Sequence, residues 1–201
     1  VRCVEETEPG MGKTPALEAE RVTIDARAEQ EGDQTLWLDL RSFGSEDRLV
    51  RSLFESREFA AWSNGGHRLH LFLDSLDECL MRVTTVGSLL IDQLGRCPVE
   101  RLYLRIACRT ADWHSSFEKG LRNLWGQDGI GVYELAPLSR KNIAEAAEAN
   151  GVSSTDFLAE LDLREAVPLA MKPVTLVFLL NTYLRLGRFP TTRVGLYREG
   201  C

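Results

Sequence analysis

No apolar run in this sequence is long enough to cross a bilayer: the most apolar stretch, residues 174–180, falls far short of the roughly 20 residues a spanning helix needs. Positive charge is not in surplus either. Lys and Arg number 24 against 30 Asp and Glu, a net charge of -6, which argues against direct nucleic-acid binding, since such surfaces concentrate cations to meet phosphates. The five cysteines are odd in number and nowhere form a Cys-x-x-Cys pair, so neither a zinc site nor a disulfide framework is indicated. Reduced thiols in a cytoplasmic protein are the expectation. No signal peptide is visible in the first ten residues, which are mixed and carry three acids. Internal repeats and low-complexity segments are also missing.

What is present suits a soluble α/β protein. The 201 residues, 44% hydrophobic and 27% charged, match one α/β domain with a small helical appendage. Strand and helix signals alternate, pointing to a parallel sheet flanked by helices. The spacing predicts strands near residues 1–4, 35–40, 69–73, 102–108 and 132–135. Helices are predicted over 15–29, 46–62 and 86–94, the last ending near Gly95. Beyond residue 137 the pattern turns wholly helical, with helices over 141–149, 155–163 and 173–186, Ser139 as a cap and Gly151 as a stop. The expected division is therefore residues 1–136, a nucleotide-binding α/β part, and residues 137–201, a helical part. Both ends look cut from a longer protein.

Two segments some sixty residues apart carry the chemistry. The first is Thr7-Glu8-Pro9-Gly10-Met11-Gly12-Lys13-Thr14, a glycine-bearing loop closed by Lys-Thr. Successive backbone N–H groups of such a loop, with the following helix N-terminus, cradle phosphate oxygens. Lys13 would reach the β- and γ-phosphates and the Thr14 hydroxyl would coordinate Mg²⁺. The full motif begins with glycine; this chain has Thr7 there. Pro15 is compatible with a first helical turn. The second segment is Leu69-His70-Leu71-Phe72-Leu73-Asp74-Ser75-Leu76-Asp77-Glu78, an apolar strand that ends in acids. Asp74 at the strand tip would order the metal, and Asp77 or Glu78 would polarise an attacking water. A third strand leaves through Arg109, whose donor fork suits a γ-phosphate. His70 is expected to be a hydrogen-bonded core residue, His67 and His114 stand isolated, and Trp37, Trp62 and Trp125 are taken as packing residues.

These residues resemble a known family. Glu8-Pro9-Gly10-Met11-Gly12-Lys13-Thr14, Leu71-Phe72-Leu73-Asp74-Ser75-Leu76-Asp77-Glu78 and Cys108-Arg109-Thr110 are similar to the motifs of the NACHT branch of the STAND NTPases, relatives of the AAA+ ATPases. Further likeness lies in Glu134-Leu135-Ala136-Pro137-Leu138 and Met171-Lys172-Pro173-Val174-Thr175-Leu176. The resemblance implies a three-layer P-loop NTPase sandwich with a five-stranded, mainly parallel sheet, in which the Arg109 strand lies between the loop strand and the Asp74 strand. It implies ATP or ADP with Mg²⁺ as ligands, slow hydrolysis as part of a signalling or antiviral-defence switch, and self-association through this domain on activation. Pro173 is implied as the contact of the adenine base, with Pro168 as rival. Sensor and effector domains would lie outside this fragment.

Overall fold

The computed structural model describes the backbone of residues 2–6 and all of residues 11–190. The expectations for Val1, Thr7, Glu8, Pro9, Gly10, Arg193 and Cys201, and for the side chain of Cys3, lie outside the described residues. The described chain divides into two compact units, one holding the first strand and Lys13–Leu135, the other running from Ala136 and including Gly12.

The first unit is built on a sheet of five strands: β1 (Arg2–Glu6), β2 (Gln34–Asp39), β3 (Leu69–Asp74), β4 (Leu102–Arg109) and β5 (Gly131–Glu134), in the order β2-β3-β4-β1-β5. Every described pairing is parallel, so all five carboxyl ends lie along one edge. β3 and β4 are buried almost throughout, as strands covered on both faces must be. The outermost strands β2 and β5 have no fully buried residue. β4 lies between β1 and β3, as the resemblance implies for the strand that carries Arg109.

The alternation of side chains sorts the sheet into two faces. Helix α1 (Lys13–Glu31) covers one of them: Leu17, Ile24 and Ala28 form its buried line, and Leu17 and Ile24 pack on Phe72, Ala107 and Trp37. Pro15 falls in its first turn, where no intrahelical N–H partner is lost. The opposite face takes Leu69, Leu71 and Leu73 of β3 with Leu102, Leu104, Ile106 and Cys108 of β4. Against them pack α2 (Glu46–Leu53), α3 (Arg57–Asn64), α4 (Leu76–Leu80), α5 (Val86–Leu94) and α6 (Ser115–Trp125). Burying each Leu or Phe of this layer contributes about 1.5–3 kcal/mol, which makes it the main source of the unit's stability.

Two expectations about helices are corrected. The single helix predicted over 46–62 is two. The chain leaves the first at Phe54, and Ser56, in an extended conformation, accepts the Phe59 N–H at 3.2 Å and starts the second. A serine hydroxyl satisfies a helix N-terminus better than it continues a helix interior. The second correction is α6, which was not foreseen; Phe117 and Leu121 form its buried face.

The second unit is helical: α7 (Arg140–Ala149), α8 (Ser154–Leu163), α9 (Val167–Ala170) and α10 (Pro173–Leu186). Ser139 caps α7 through a reciprocal pair with Asn142, and Gly151, at φ 73°, lets the chain turn away after Asn150. Phe157, Tyr183 and Phe189 meet edge to face at centroid distances of 5.3–5.7 Å and centre its core. Pro168 and Pro173 each open a helix, where a missing N–H costs nothing.

Candidate functional site

The carboxyl end of a parallel sheet is where open α/β folds bind ligands, because strand tips and helix N-termini converge there. In this chain α1 begins at Lys13, so Lys13 and Thr14 occupy its first turn, at the positive end of the helix dipole. β3 ends at Asp74. Ser75 then adopts a left-handed conformation, φ 59° and ψ 45°, strained for a non-glycine residue. That turn reverses the chain into α4 and carries Asp77 and Glu78 on the helix's first turn. β4 delivers Arg109.

These residues form one connected set. The Thr14 hydroxyl donates to Asp74 Oδ2 at 2.8 Å. Lys13 Nζ donates to Asp77 Oδ1 at 3.3 Å, while Arg109 Nε lies 2.9 Å from Asp77 Oδ2. Asp77 thus joins two cations, one on each carboxylate oxygen. It is buried, with 4% of its side chain exposed, beside Lys13 at 12% and Arg109 at 42%. Asp74 is 1% exposed. Its second oxygen, Oδ1, is buried with no hydrogen-bond partner.

An orphaned carboxylate oxygen in a protein interior is costly and calls for a partner. A divalent cation fits that requirement. Asp74 Oδ1 and the Thr14 hydroxyl are hard oxygen donors of the kind Mg²⁺ takes, beside which it keeps water and phosphate ligands. Among the described residues there is no cluster of three or more His, Cys, Asp or Glu that would hold a metal by itself. Glu78 is half-buried and follows Asp77 on the same helical turn.

The remaining sequence expectations fall as follows. Met11 is buried and Gly12 has φ 94°, a conformation that favours glycine. Within the second unit, a Cβ on Gly12 would lie 3.5 Å from Cγ of Pro173. His70 is partly buried on the α1 face: its Nδ1 lies 3.4 Å from Arg105 Nη1 and its Nε2 3.8 Å from Asp33 Oδ2, with the ring stacked on Tyr103. His67 is not isolated, since its Nε2 lies 3.1 Å from Gln34 Oε1. Trp62 is fully buried, Trp37 stacks on Phe72, and the Trp125 N–H donates to the Val99 carbonyl. Cys79, Cys97 and Cys108 are free thiols, and burial pushes the Cys79 and Cys97 thiols up from their ordinary value.

Sequence reasoning missed two features near these residues. Arg41, just beyond β2, grips Asp39 with Nε and Nη2 at 2.8–3.0 Å, and Asp39 stands in register with Asp74. Arg105, in the middle of β4, is 9% exposed; its Nε donates to Glu20 of α1 at 2.8 Å, and its guanidinium lies over the Phe72 ring. The first was findable as a charged pair at a strand end. The second had no local signal, because its partner lies 85 positions away.

This architecture, a parallel five-stranded sheet with helices on both faces, is an α/β fold of the P-loop NTPase type. Among solved structures the chain is similar to that of the Aeropyrum pernix Orc1 protein in complex with DNA, at TM-score 0.63 and 15% identity, covering 98% of this chain and 58% of that one. It is likewise similar to Cdc6p from Pyrobaculum aerophilum, at TM-score 0.56 and 17% identity over 93% of this chain and 56% of that one. A third is the Thermotoga maritima RuvB Holliday junction branch migration motor, at TM-score 0.51 and 13% identity over 98% and 60%. The chain therefore spans between 56% and 60% of the length of these three structures. Identities this low establish the shared fold. No family model matches the sequence, and no curated protein matches it. No helix among the described residues is long and apolar enough to cross a membrane.

Proposed function

We propose that this chain is the nucleotide-binding core of an ATPase, holding Mg-ATP at the carboxyl end of its sheet and hydrolysing it slowly as the switch of a NACHT-type STAND protein. One observation carries the reading: Lys13 and Thr14, at the start of α1, reach Asp77 and Asp74, 64 and 60 positions away, at 3.3 and 2.8 Å. A lysine, a hydroxyl and carboxylates brought together at a helix N-terminus on the carboxyl side of a parallel sheet are the parts triphosphate binding needs.

In this reading Lys13 takes the β- and γ-phosphates. Thr14 and Asp74 hold Mg²⁺, which when bound neutralises charge on the phosphate oxygens. Asp77 keeps the Lys13 amine and the Arg109 guanidinium in place until phosphate takes over as their partner. With Asp77 engaged by both cations, Glu78 is favoured over it as the carboxylate that directs water. Arg109 answers to the γ-phosphate. Glu8, Pro9, Gly10, Met11 and Gly12 would serve as the phosphate loop, and Pro173, on the resemblance, as the residue that meets the adenine base. ATP and ADP would favour different arrangements of the whole protein by their differential affinity for each, with self-association on activation, in the cytoplasm.

The test is phosphate release by the full-length protein and by its Lys13→Ala and Glu78→Gln variants. Lys13→Ala is expected to lose nucleotide binding, whereas Glu78→Gln keeps binding and loses turnover by roughly 10²-fold or more. Equal release from all three removes the enzyme claim. Binding without release in the wild type leaves a nucleotide-locked scaffold. A second reading, a DNA-associated ATPase, is favoured by the likeness to an Orc1 protein solved with DNA and opposed by the net charge of -6. Binding of duplex DNA that weakens steeply with salt would support it.

A further inference from the structure

We propose that Arg41 is the fixed counter-charge of the acidic strand tips, a positioning residue that sets how strongly the site takes a divalent cation. The inference rests on the nucleotide-site reading above and names a residue that the phosphate loop and the acidic motif do not include.

The geometry that carries it lies at the edge of the sheet. β2 ends at Asp39, which pairs in register with Asp74, so two carboxylates stand on neighbouring strands at the same level. Arg41 closes over this end. Its Nε and Nη2 grip both oxygens of Asp39, and its backbone N–H adds a further bond to Oδ1 at 3.0 Å. A planar fork held at two donors is fixed in orientation as well as position. The Arg41 carbonyl in turn accepts from Arg82 Nη1 at 3.0 Å. Arg82 follows α4, the helix bearing Asp77 and Glu78, and so ties the β2 tip to the acidic motif.

The charges agree with this placement. The Asp39 hydrogen bond is the chief reason that Arg41 holds its proton more tightly than an ordinary arginine, and Glu78 and Asp74 add to it through space. The same hydrogen bond holds the Asp39 carboxyl below its usual range. Without Arg41, Asp39 would stand as an uncompensated anion beside Asp74, and Glu78 would lose the same cation's field. One more negative charge at the strand tips would draw a divalent cation more strongly. With Arg41 in place, Asp39 is neutralised and the metal depends on the phosphates it arrives with.

The experiment is a Mg²⁺ titration of the binding of a fluorescent, non-hydrolysable ATP analogue to the full-length protein at fixed low ionic strength. Arg41→Gln makes the tip more negative by one charge and is expected to lower the half-saturating Mg²⁺ concentration about fivefold, the scale of one partly screened unit charge. Arg41→Lys keeps the charge and should stay within about twofold of wild type. Asp39→Asn combined with Arg41→Gln removes both charges and should return the midpoint to the wild-type value, an outcome a purely structural role would not produce. An unmoved or raised midpoint in Arg41→Gln, or an equal shift in Arg41→Lys, overturns the proposal. So does a double variant that stays with Arg41→Gln. If wild type and Lys13→Ala both fail to bind the analogue, the nucleotide-site reading falls and this inference with it. If wild type binds, Lys13→Ala does not, and Arg41→Gln matches wild type, only the inference falls.

Discussion

Asp77 should act as a stand-in for phosphate, and replacing it with asparagine separates that role from simple structural support. The carboxylate is buried, one oxygen 3.3 Å from Lys13 Nζ and the other 2.9 Å from Arg109 Nε. At an effective dielectric of about 20, a unit pair at the Lys13 separation attracts by about 5 kcal/mol, but most of this is offset by stripping water from both groups. The Arg109 pair counts for less, because that side chain is 42% exposed and solvent screens it. A net contribution of about 2 kcal/mol is a reasonable sum, nearly all of it from Lys13. Asp77→Asn keeps the shape and removes the charge. The ligand-free protein should lose about 2 kcal/mol of stability, an apparent melting shift of roughly 4–8 °C for a chain of this size.

The consequence for binding has the opposite sign. If Lys13 takes phosphate as proposed, the wild-type protein must release Asp77 from Lys13 and bring phosphate up to its negative charge. In Asp77→Asn both penalties are gone, so ADP should bind about tenfold tighter, or about 1.4 kcal/mol. Nucleotide should then stabilise the variant more than the wild type, since binding and stability are linked. Calorimetric titration with ADP in EDTA keeps any metal contribution out of the comparison, and thermal unfolding with and without ADP gives the second readout. If ADP binding is unchanged or weaker while the apo protein is destabilised, Asp77 is structural and does not compete with phosphate. Equal stability of the two proteins would show instead that the ion pairs contribute nothing measurable.

Two further predictions concern the face of the sheet under α1. Glu20→Gln leaves the Arg105 guanidinium buried without its anion and should cost about 3 kcal/mol, whereas Arg105→Met, of similar length and apolar, should cost less than about 1.5 kcal/mol. Urea midpoints compare the two, and an Arg105→Met cost as large as that of Glu20→Gln refutes the charge argument. His70 is held below its ordinary value of 6.5, first by burial and then by Arg105, with Arg68 in the same sense and Asp33 opposing. The unfolded chain therefore takes up the proton before the folded one does, and stability present above about pH 6.5 is lost as the pH falls from there toward the depressed folded value. His70→Gln should remove that part of the acid sensitivity, seen as a smaller difference between urea midpoints at about pH 7.5 and pH 5.5.

How far the sequence discloses this molecule depends on the range of each interaction. Helix stops such as Gly95 and Gly151, the Ser139 cap and the proline opening α10 act within one turn, and the chain spells them out locally. The same kind of signal was present at one place where the reading failed. Ser56-Arg57-Glu58 is a capping sequence in the midst of apolar spacing that runs on from Leu49 to Trp62, and the periodicity of the buried positions outweighed it. In α6, Phe117 and Leu121 stand four residues apart, but His114 at its N-cap makes no side-chain cap bond and so gives no local start signal. That Lys13 and Thr14 would meet the acids after β3 could be expected from the sequence, because triphosphate chemistry restricts which residues can serve at each end of such a site. What joins them, the Asp77 bridge from Lys13 to Arg109, needs strand order and register, as do the Asp39–Arg41 grip beside Asp74 and the Glu20–Arg105 pair under α1. Shifting β2 by one residue against β3 would remove Asp39 from Asp74 and turn its neighbours to the other face. The Asp39–Arg41 pair is local, two residues apart along the chain, but its placement beside Asp74 is thus a property of the sheet's register.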